Sequence, residues 1–133
     1  MKITADIDIN LDGVLDELNE RFGLESDAQK AYDEKVWAHM EKYVPYDTES
    51  FLEHNRNLND PAQFGKGELI FESDPASGFD YQVWWLWNGK SKGRIISNYT
   101  NPLSTPQWSN NVVANEIPQI IDEMQTLVDN GEI

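Results

Sequence analysis

Cysteine is absent from the 133-residue chain, and histidine occurs only twice, as His39 and His54. The lack of cysteine excludes disulfides, thiolate zinc sites, iron–sulfur clusters and thiol nucleophiles together. Two histidines are too few for a histidine-rich metal site. We therefore expect neither a metal nor a cofactor.

Basic residues are also scarce: 10 Lys and Arg stand against 24 Asp and Glu, which gives a net charge of −14. Nucleic acids and anionic membranes are bound by positive charge, so we expect no specific nucleic-acid binding and no membrane binding. No apolar run approaches the roughly 20 residues of a membrane helix. The start of the chain, "MKITADIDIN", lacks the apolar core of a secretion signal.

Apolar residues nevertheless make up 39% of the chain, with five each of Trp, Tyr and Phe. This content argues against disorder despite the charge. The length suits one core, and the sequence contains no internal repeat or linker. We predict a single domain over residues 1–133.

The N-terminal part changes from a strand pattern to a helix pattern. Residues 3–9 alternate between apolar and polar, which predicts a half-buried strand. Apolar residues then recur at helical spacing over 11–22. A second helix is predicted from Ser26 up to Pro45, because proline disfavours helical geometry in the residue before it.

The middle of the chain is predicted to form a small antiparallel β-meander, in which Asn-Gly favours a hairpin turn. Its segments, in chain order, are a loop or irregular strand (54–67), a strand (68–73), a turn (74–78), a strand (79–87), a hairpin connection (88–93) and a returning strand (94–99).

The C-terminal third returns to helical spacing. A short helix is expected around Trp108, and Pro118 either kinks a longer helix or occupies the first turn of a new one that runs to Asn130-Gly131. An N-terminal strand, two helices, a β-meander and a C-terminal helix together predict the α+β class.

Catalytic chemistry has little support in the sequence. Asp47 and Thr48 could be combined with His39 or His54 into a hydrolytic site, but nothing in the sequence fixes their geometry. The chain has no nucleophile elbow, no metal-binding His-Glu motif and no Gly-rich phosphate loop. We interpret Asp47 or Thr48 as the cap of a short helical turn, "ESFLEH", and expect no enzymatic activity.

The tryptophans of the segment "YQVWWLW" and the basic residues after it are the candidate interface. The tryptophans either pack in the core or anchor a subunit interface, where Trp and Tyr are enriched. The basic residues form a solvated turn or a docking point for an acidic neighbour. The residues concerned are Trp84, Trp85, Trp87, Lys90, Lys92 and Arg94.

Three segments occur in the order found in a known family: "YVPYDTESF" (43–51), "GKGELIFESDPAS" (65–77) and "NPLSTPQW" (101–108). The chain resembles the minor capsid proteins of long-tailed bacteriophages, which are neck or head–tail connector components. The first segment resembles the family's Tyr-Val-Pro-x-Asp-Thr-Gly-x-Leu signature. The motif residues are Val44, Pro45, Asp47, Thr48, Phe51, Pro75, Pro102 and Trp108.

The chain departs from the family pattern at a few positions. Glu49 stands where the family has Gly, and Phe51 where it has Leu. Only part of the family's Pro-Tyr-Ala turn is present, as 74–76. Because Glu does not share the tolerance of Gly for positive φ, the turn before Phe51 is expected to differ from the family's.

The resemblance implies a non-enzymatic virion protein of the head–tail junction. Its implied partners are copies of itself in a ring and other head-completion and tail proteins, and its implied location is the virion, after assembly in the host cytoplasm. The acidic composition is compatible with a DNA conduit, since like charge keeps DNA from adhering. The alternative is an acidic DNA mimic, or another interaction module, that binds a nucleic-acid enzyme.

Overall fold

The computed structural model describes residues 2–7, 21, 23–45, 49–91, 94–95 and 103–133. The described part is α+β, with an N-terminal strand and a C-terminal helix, as predicted. Its elements are β1 (Lys2–Asp6), α1 (Asp27–Met40), a 3-10 helix (Glu41–Tyr43), α2 (Glu49–Leu58), β2 (Glu68–Glu72), a 3-10 helix (Pro75–Ser77), α3 (Gln82–Asn88), β3 (Lys90–Ser91), β4 (Arg94–Ile95), α4 (Ser109–Asn115) and α5 (Ile117–Asp129).

Strands β1 and β2 form an antiparallel pair in which Thr4 lies opposite Ile70. Alternation places Ala5 in the core and leaves Thr4 exposed, while Leu69 is buried on β2. Strands were predicted in both segments, and the period-two pattern identified the buried face of β1. The helix predicted over 11–22 lies outside the described residues, apart from Arg21.

Helix α1 begins at Asp27, one residue after the predicted start at Ser26, whose hydroxyl caps it by accepting the backbone N–H of Gln29 at 3.0 Å. It ends at Met40 and continues as a short 3-10 helix. Val44, directly before Pro45, is extended with ψ of 130°, as expected for a residue that precedes proline. The helix packs against α4 and α5, and its Tyr32 hydroxyl donates to the Ile7 carbonyl at 2.9 Å.

A buried carboxylate on α1 holds the loop that leads into β2. Asp33 is completely buried, and its Oδ2 accepts the backbone N–H groups of Gly65 at 2.7 Å and Gly67 at 3.0 Å. Its Oδ1 accepts from the Gln29 amide at 2.8 Å. Because buried carboxylates require such partners, Asp33 ties the position of this loop to α1.

Helix α2 continues to Leu58, so the prediction that 54–67 is loop or irregular strand was wrong for residues 54–58. Asn55 and Asn59, four residues apart, face the outer edge of β2. Each side-chain amide donates to the carbonyl of one β2 residue and accepts the N–H of that same residue. Asn55 donates to Glu72 at 3.1 Å and accepts from it at 2.7 Å. Asn59 donates to Ile70 at 2.9 Å and accepts from it at 3.0 Å.

Gln63 extends the series by donating to the Glu68 carbonyl at 3.2 Å. We call Asn55, Asn59 and Gln63 the amide ladder. All three side chains are buried, and they satisfy strand groups that another strand would otherwise pair.

The strand predicted over 79–87 is wrong, because Gln82–Asn88 form helix α3. Gly89 ends the helix with a left-handed φ of 70°, and its N–H donates to the Leu86 carbonyl. At the other end, Val83 donates its backbone N–H to the Ser73 hydroxyl at 3.0 Å. These contacts at both ends fix a helix of two turns.

Strands β3 and β4 form a short hairpin, pairing Lys90 with Ile95 and Ser91 with Arg94. Strand β3 lies inside the segment 88–93, which was predicted to be the hairpin connection. The segment 79–87, predicted to be the first strand of that hairpin, instead leads into α3. The remainder of the predicted returning strand, 96–99, lies outside the described residues. Pro118 lies in the first turn of the separate helix α5, which confirms one of the two alternatives for this residue.

Phe71 on β2 is the centre of an aromatic cluster in the core. Its ring centroid lies 6.1 Å from that of Trp37, 6.4 Å from Trp87 and 5.2 Å from Trp108. Trp87 and Trp108 meet edge to face at 4.7 Å. The cluster joins α1, β2, α3 and the start of α4.

Asn55→Ala tests the amide ladder. The variant leaves the N–H and carbonyl of Glu72 without their partners, so we expect the free energy of unfolding to fall by about 2 kcal/mol. Asn57→Ala, at an exposed position of the same helix, is the matched control and should change it by less than about 0.5 kcal/mol. Urea denaturation measures both, and equal effects would contradict the role of the ladder.

Candidate functional site

Large aromatic side chains reach solvent at the start of α3. Phe79 is 57% exposed, Tyr81 55% and Trp84 44%. We call these three residues the aromatic surface. Scattered apolar residues are normal on a protein surface, whereas three large aromatics within six residues are typical of a contact site.

The packing of α3 explains why these rings face outward. Gln82, Val83 and Leu86 occupy the inner side of the helix and are buried. Tyr81 and Trp84 are three residues apart and so lie close together on the helix. The Phe79 ring is held beside Trp85, with their centroids 5.9 Å apart. Trp84 therefore lies on α3, Tyr81 directly before it, and Phe79 against Trp85 of the same helix.

The predicted interface residues have different environments. Trp84 belongs to the aromatic surface, Trp85 is half-buried beside it, and Trp87 packs in the aromatic cluster of the core. Lys90 and Arg94 lie in the β3–β4 hairpin, whereas Lys92 lies outside the described residues.

Phe79 and Tyr81 were missed as candidate interface residues. They belong to the stretch 79–87, which was interpreted as a strand covered on both faces. In that interpretation they carry no distinct signal. A helical interpretation would have separated the buried Gln82, Val83 and Leu86 from the exposed rings.

Most described motif residues are buried: Val44, Pro45, Phe51 and Trp108 lie in the interior, while Pro75 is exposed at the start of a 3-10 helix. Asp47, Thr48 and Pro102 lie outside the described residues. Accordingly, the predicted cap at Asp47 or Thr48 stays a prediction.

The three motif segments meet in the fold. Ser50 of the first donates its hydroxyl to the Asp74 carboxylate of the second, which also accepts the Ala76 N–H at 3.0 Å. Trp108 of the third packs edge to face on Phe71 of the second. The described parts of the motifs therefore contribute to packing and capping.

His39 lies in a polar cluster that joins α1 to the α4–α5 junction. Its Nδ1 is 3.3 Å from Glu116 Oε2, and its Nε2 is 2.9 Å from Glu123 Oε2. Both ring nitrogens of His39 therefore lie close to a carboxylate oxygen. Glu116 Oε1 also accepts from the Tyr43 hydroxyl at 2.9 Å and pairs with Lys42.

The partners of Glu116 shift the titration of this cluster. The hydrogen bond from Lys42 lowers the pKa of the Glu116 carboxyl, against the opposing effect of burial. The same hydrogen bond raises the pKa of Lys42. Burial, followed by the bond to Glu116, raises the pKa of Tyr43. Glu116 and Lys42 are thus both charged at neutral pH, as suits an ion pair that holds helices together.

The hydrolytic combination gains no support from the described residues. His54 Nε2 is 3.2 Å from Glu72 Oε2, and His39 is bound by Glu116 and Glu123, while Asp47 lies outside the described residues. An open cleft of about 310 Å³ lies beside Phe79. Within the described part, no group of three or more His, Asp or Glu residues could hold a metal ion.

No helix within the described residues is long and apolar enough to cross a membrane. Searches of protein-family models, curated proteins and solved structures each gave no match. The sequence motifs and the local geometry are therefore the basis for a functional proposal.

Glu116→Gln tests the polar cluster through pH. Folding lowers the pKa of the Glu116 carboxyl from its ordinary value of 4.5, so its ionised form stabilises the folded protein when the pH is above 4.5. This stabilisation is lost as the pH falls from 4.5 through the lower pKa of the folded state. We expect the variant to lose about 2 kcal/mol of unfolding free energy at pH 7, with the difference shrinking below pH 4.5.

Urea denaturation between pH 7 and pH 3 measures this difference. Glu123→Gln is the control, because Glu123 is more exposed and contacts only His39 within the cluster, so its effect should be smaller. A Glu116→Gln deficit that does not change with pH would contradict the assignment.

Proposed function

We propose that this chain is a non-enzymatic structural subunit of a bacteriophage virion, located at the head–tail junction and assembled with copies of itself and neighbouring proteins. The proposal rests on the ordered sequence motifs and on the aromatic surface. The aromatic surface is the structural observation that carries it. Subunits of a ring need a side-to-side contact between two different patches, and exposed aromatics are suitable anchors for one of them.

Phe79, Tyr81 and Trp84 can contribute much of the free energy of such a contact. Large aromatic side chains each bury roughly 150–250 Å² when covered. Covering the exposed parts of three such rings would contribute on the order of several kcal/mol at about 25 cal/mol per Å². Trp84 is carried by α3, Tyr81 directly precedes that helix, and the Phe79 ring packs beside Trp85. Less conformational entropy is therefore lost on contact than with rings that have no such support.

The net charge supports a role beside DNA without binding to it. A chain with a net charge of −14 repels phosphate, which favours passage of DNA along a wall built from such subunits. The same charge favours a second candidate, an acidic mimic that occupies the DNA site of a nucleic-acid enzyme. That function predicts a stoichiometric complex with such an enzyme in a pull-down, and absence from virions.

Mass spectrometry of purified virions, with antibody labelling in the electron microscope, tests the leading proposal. We expect the protein in virions of the phage that encodes it, with label at the junction of head and tail. Absence from virions would overturn the proposal, even if the recombinant protein forms oligomers.

Trp84→Ser tests the aromatic surface itself. The change removes an exposed ring, so we expect little change in the urea midpoint but a loss of at least about tenfold in incorporation into virions, since aromatic anchors contribute about 2 kcal/mol or more. Leu24→Ser is the matched control, because Leu24 is an exposed apolar residue, at 80%, outside the aromatic surface. Equal incorporation of both variants would contradict the role of the aromatic surface.

A further inference from the structure

The outer edge of β1 differs from that of β2. In the β1–β2 pair, Ile7 donates its N–H to the Gly67 carbonyl, which sets the alternation: Ile3 and Ala5 turn their backbone groups towards β2, and Lys2, Thr4 and Asp6 turn theirs away. The amide ladder covers the corresponding outward groups of β2. Among the residues that the structure describes, none hydrogen-bonds to the outward groups of β1.

This edge is accessible within the described part of the chain. Lys2 and Thr4 are exposed, and helix α3 packs against β1 without bonding to its outward groups. A row of unpaired N–H and C=O groups on a strand is a template for pairing with another strand. The charges along β1 indicate which strand fits.

The sequence of β1, "KITAD", is complementary to itself in antiparallel register. Centring the pair on Thr4 places Lys2 of each copy opposite Asp6 of the other, and Thr4 opposite Thr4. These are the residues whose backbone groups face outward, so about six backbone hydrogen bonds can form, two for each of three facing pairs. Opposite charges in directly opposed positions stabilise such a pair.

The neighbouring strand strengthens this register. Within one copy, Asp6 lies opposite Glu68, which sets two acidic residues at paired positions, whereas Lys2 lies opposite Glu72. Self-pairing brings Lys2 of the second copy to the position across from Asp6 on the outer side. Each row of four opposed residues then runs Glu68, Asp6, Lys2 of the second copy and Glu72 of the second copy, with a basic and an acidic residue at its centre.

We propose that the outer edge of β1 pairs with the same edge of a second copy of this chain, forming a two-fold, four-stranded sheet in the order β2-β1-β1-β2. The contact is isologous, since the same patch is used on both sides. It does not depend on the virion role and uses no residue of the aromatic surface.

Complementary charge reversal tests this inference on the full chain. Lys2→Glu places an acidic residue opposite Asp6, and Asp6→Lys places a basic residue opposite Lys2. Each variant alone should therefore associate at least about tenfold more weakly than the natural chain. Mixed in equal amounts, the two variants regain both opposite-charge pairs and should associate within about threefold of the natural chain.

Sedimentation up to about 1 mM chain measures these affinities, since a short edge contact is weak and its dissociation constant can reach the millimolar range. A natural chain that stays monomeric at that concentration would overturn the inference. The inference would also be overturned if the mixture of the Lys2→Glu and Asp6→Lys variants associated no more tightly than either variant alone.

Thr4→Pro provides an independent test. It removes one outward N–H, and proline is tolerated where the N–H of an edge strand faces solvent, so dimerisation should be lost while the circular dichroism spectrum is kept. Thr4→Val keeps the N–H and should keep the dimer. Trp84→Ser should leave the dimer unchanged; loss of the dimer in that variant would overturn the inference and point to the aromatic surface.

Discussion

The fold depends on a strand edge that is satisfied by side chains. A two-stranded sheet exposes two edges, and buried backbone groups at either one are costly without hydrogen-bond partners. Asn55 and Asn59 bond the N–H and carbonyl of alternate β2 residues, as a third strand would. Helix α2 is therefore held against β2 by directional bonds, and β2 in turn places Phe71 in the aromatic core.

Asp33 complements the ladder from helix α1. Its carboxylate binds two backbone N–H groups of the loop before β2, while Gln63 binds the first strand carbonyl. The chain that leads into β2 is thus held at Gln63, Gly65 and Gly67. These contacts explain a segment rich in Asn and Gly, whose composition alone is typical of a loop.

The sequence predicted correctly those elements whose residue pattern is compatible with only one kind of secondary structure. A helix was expected to start at Ser26, and α1 begins at the next residue with Ser26 as its cap. The alternation of β1 predicted its buried face. The wrong predictions came from residue patterns that are compatible with two kinds of secondary structure. Asn88-Gly89 suits a hairpin turn, but a left-handed glycine also ends a helix, and Gly89 does so here. Asn55 has low helix propensity, which its bonds to Glu72 on β2, 17 residues further along the chain, outweigh. That strand is not visible in a local window.

Any contact between copies of this chain must overcome a net charge of −14 on each. Repulsion of this kind acts over a Debye length of about 8 Å at physiological salt, so it is weakened between distant groups but not at contact. With only 10 basic residues, such contacts are confined to places where charge is absent or locally balanced. The aromatic surface offers uncharged rings on both sides of a single exposed carboxylate, Asp80. The β1 edge offers local balance through Lys2 and Asp6. The scarcity of cations therefore narrows the surfaces available for assembly.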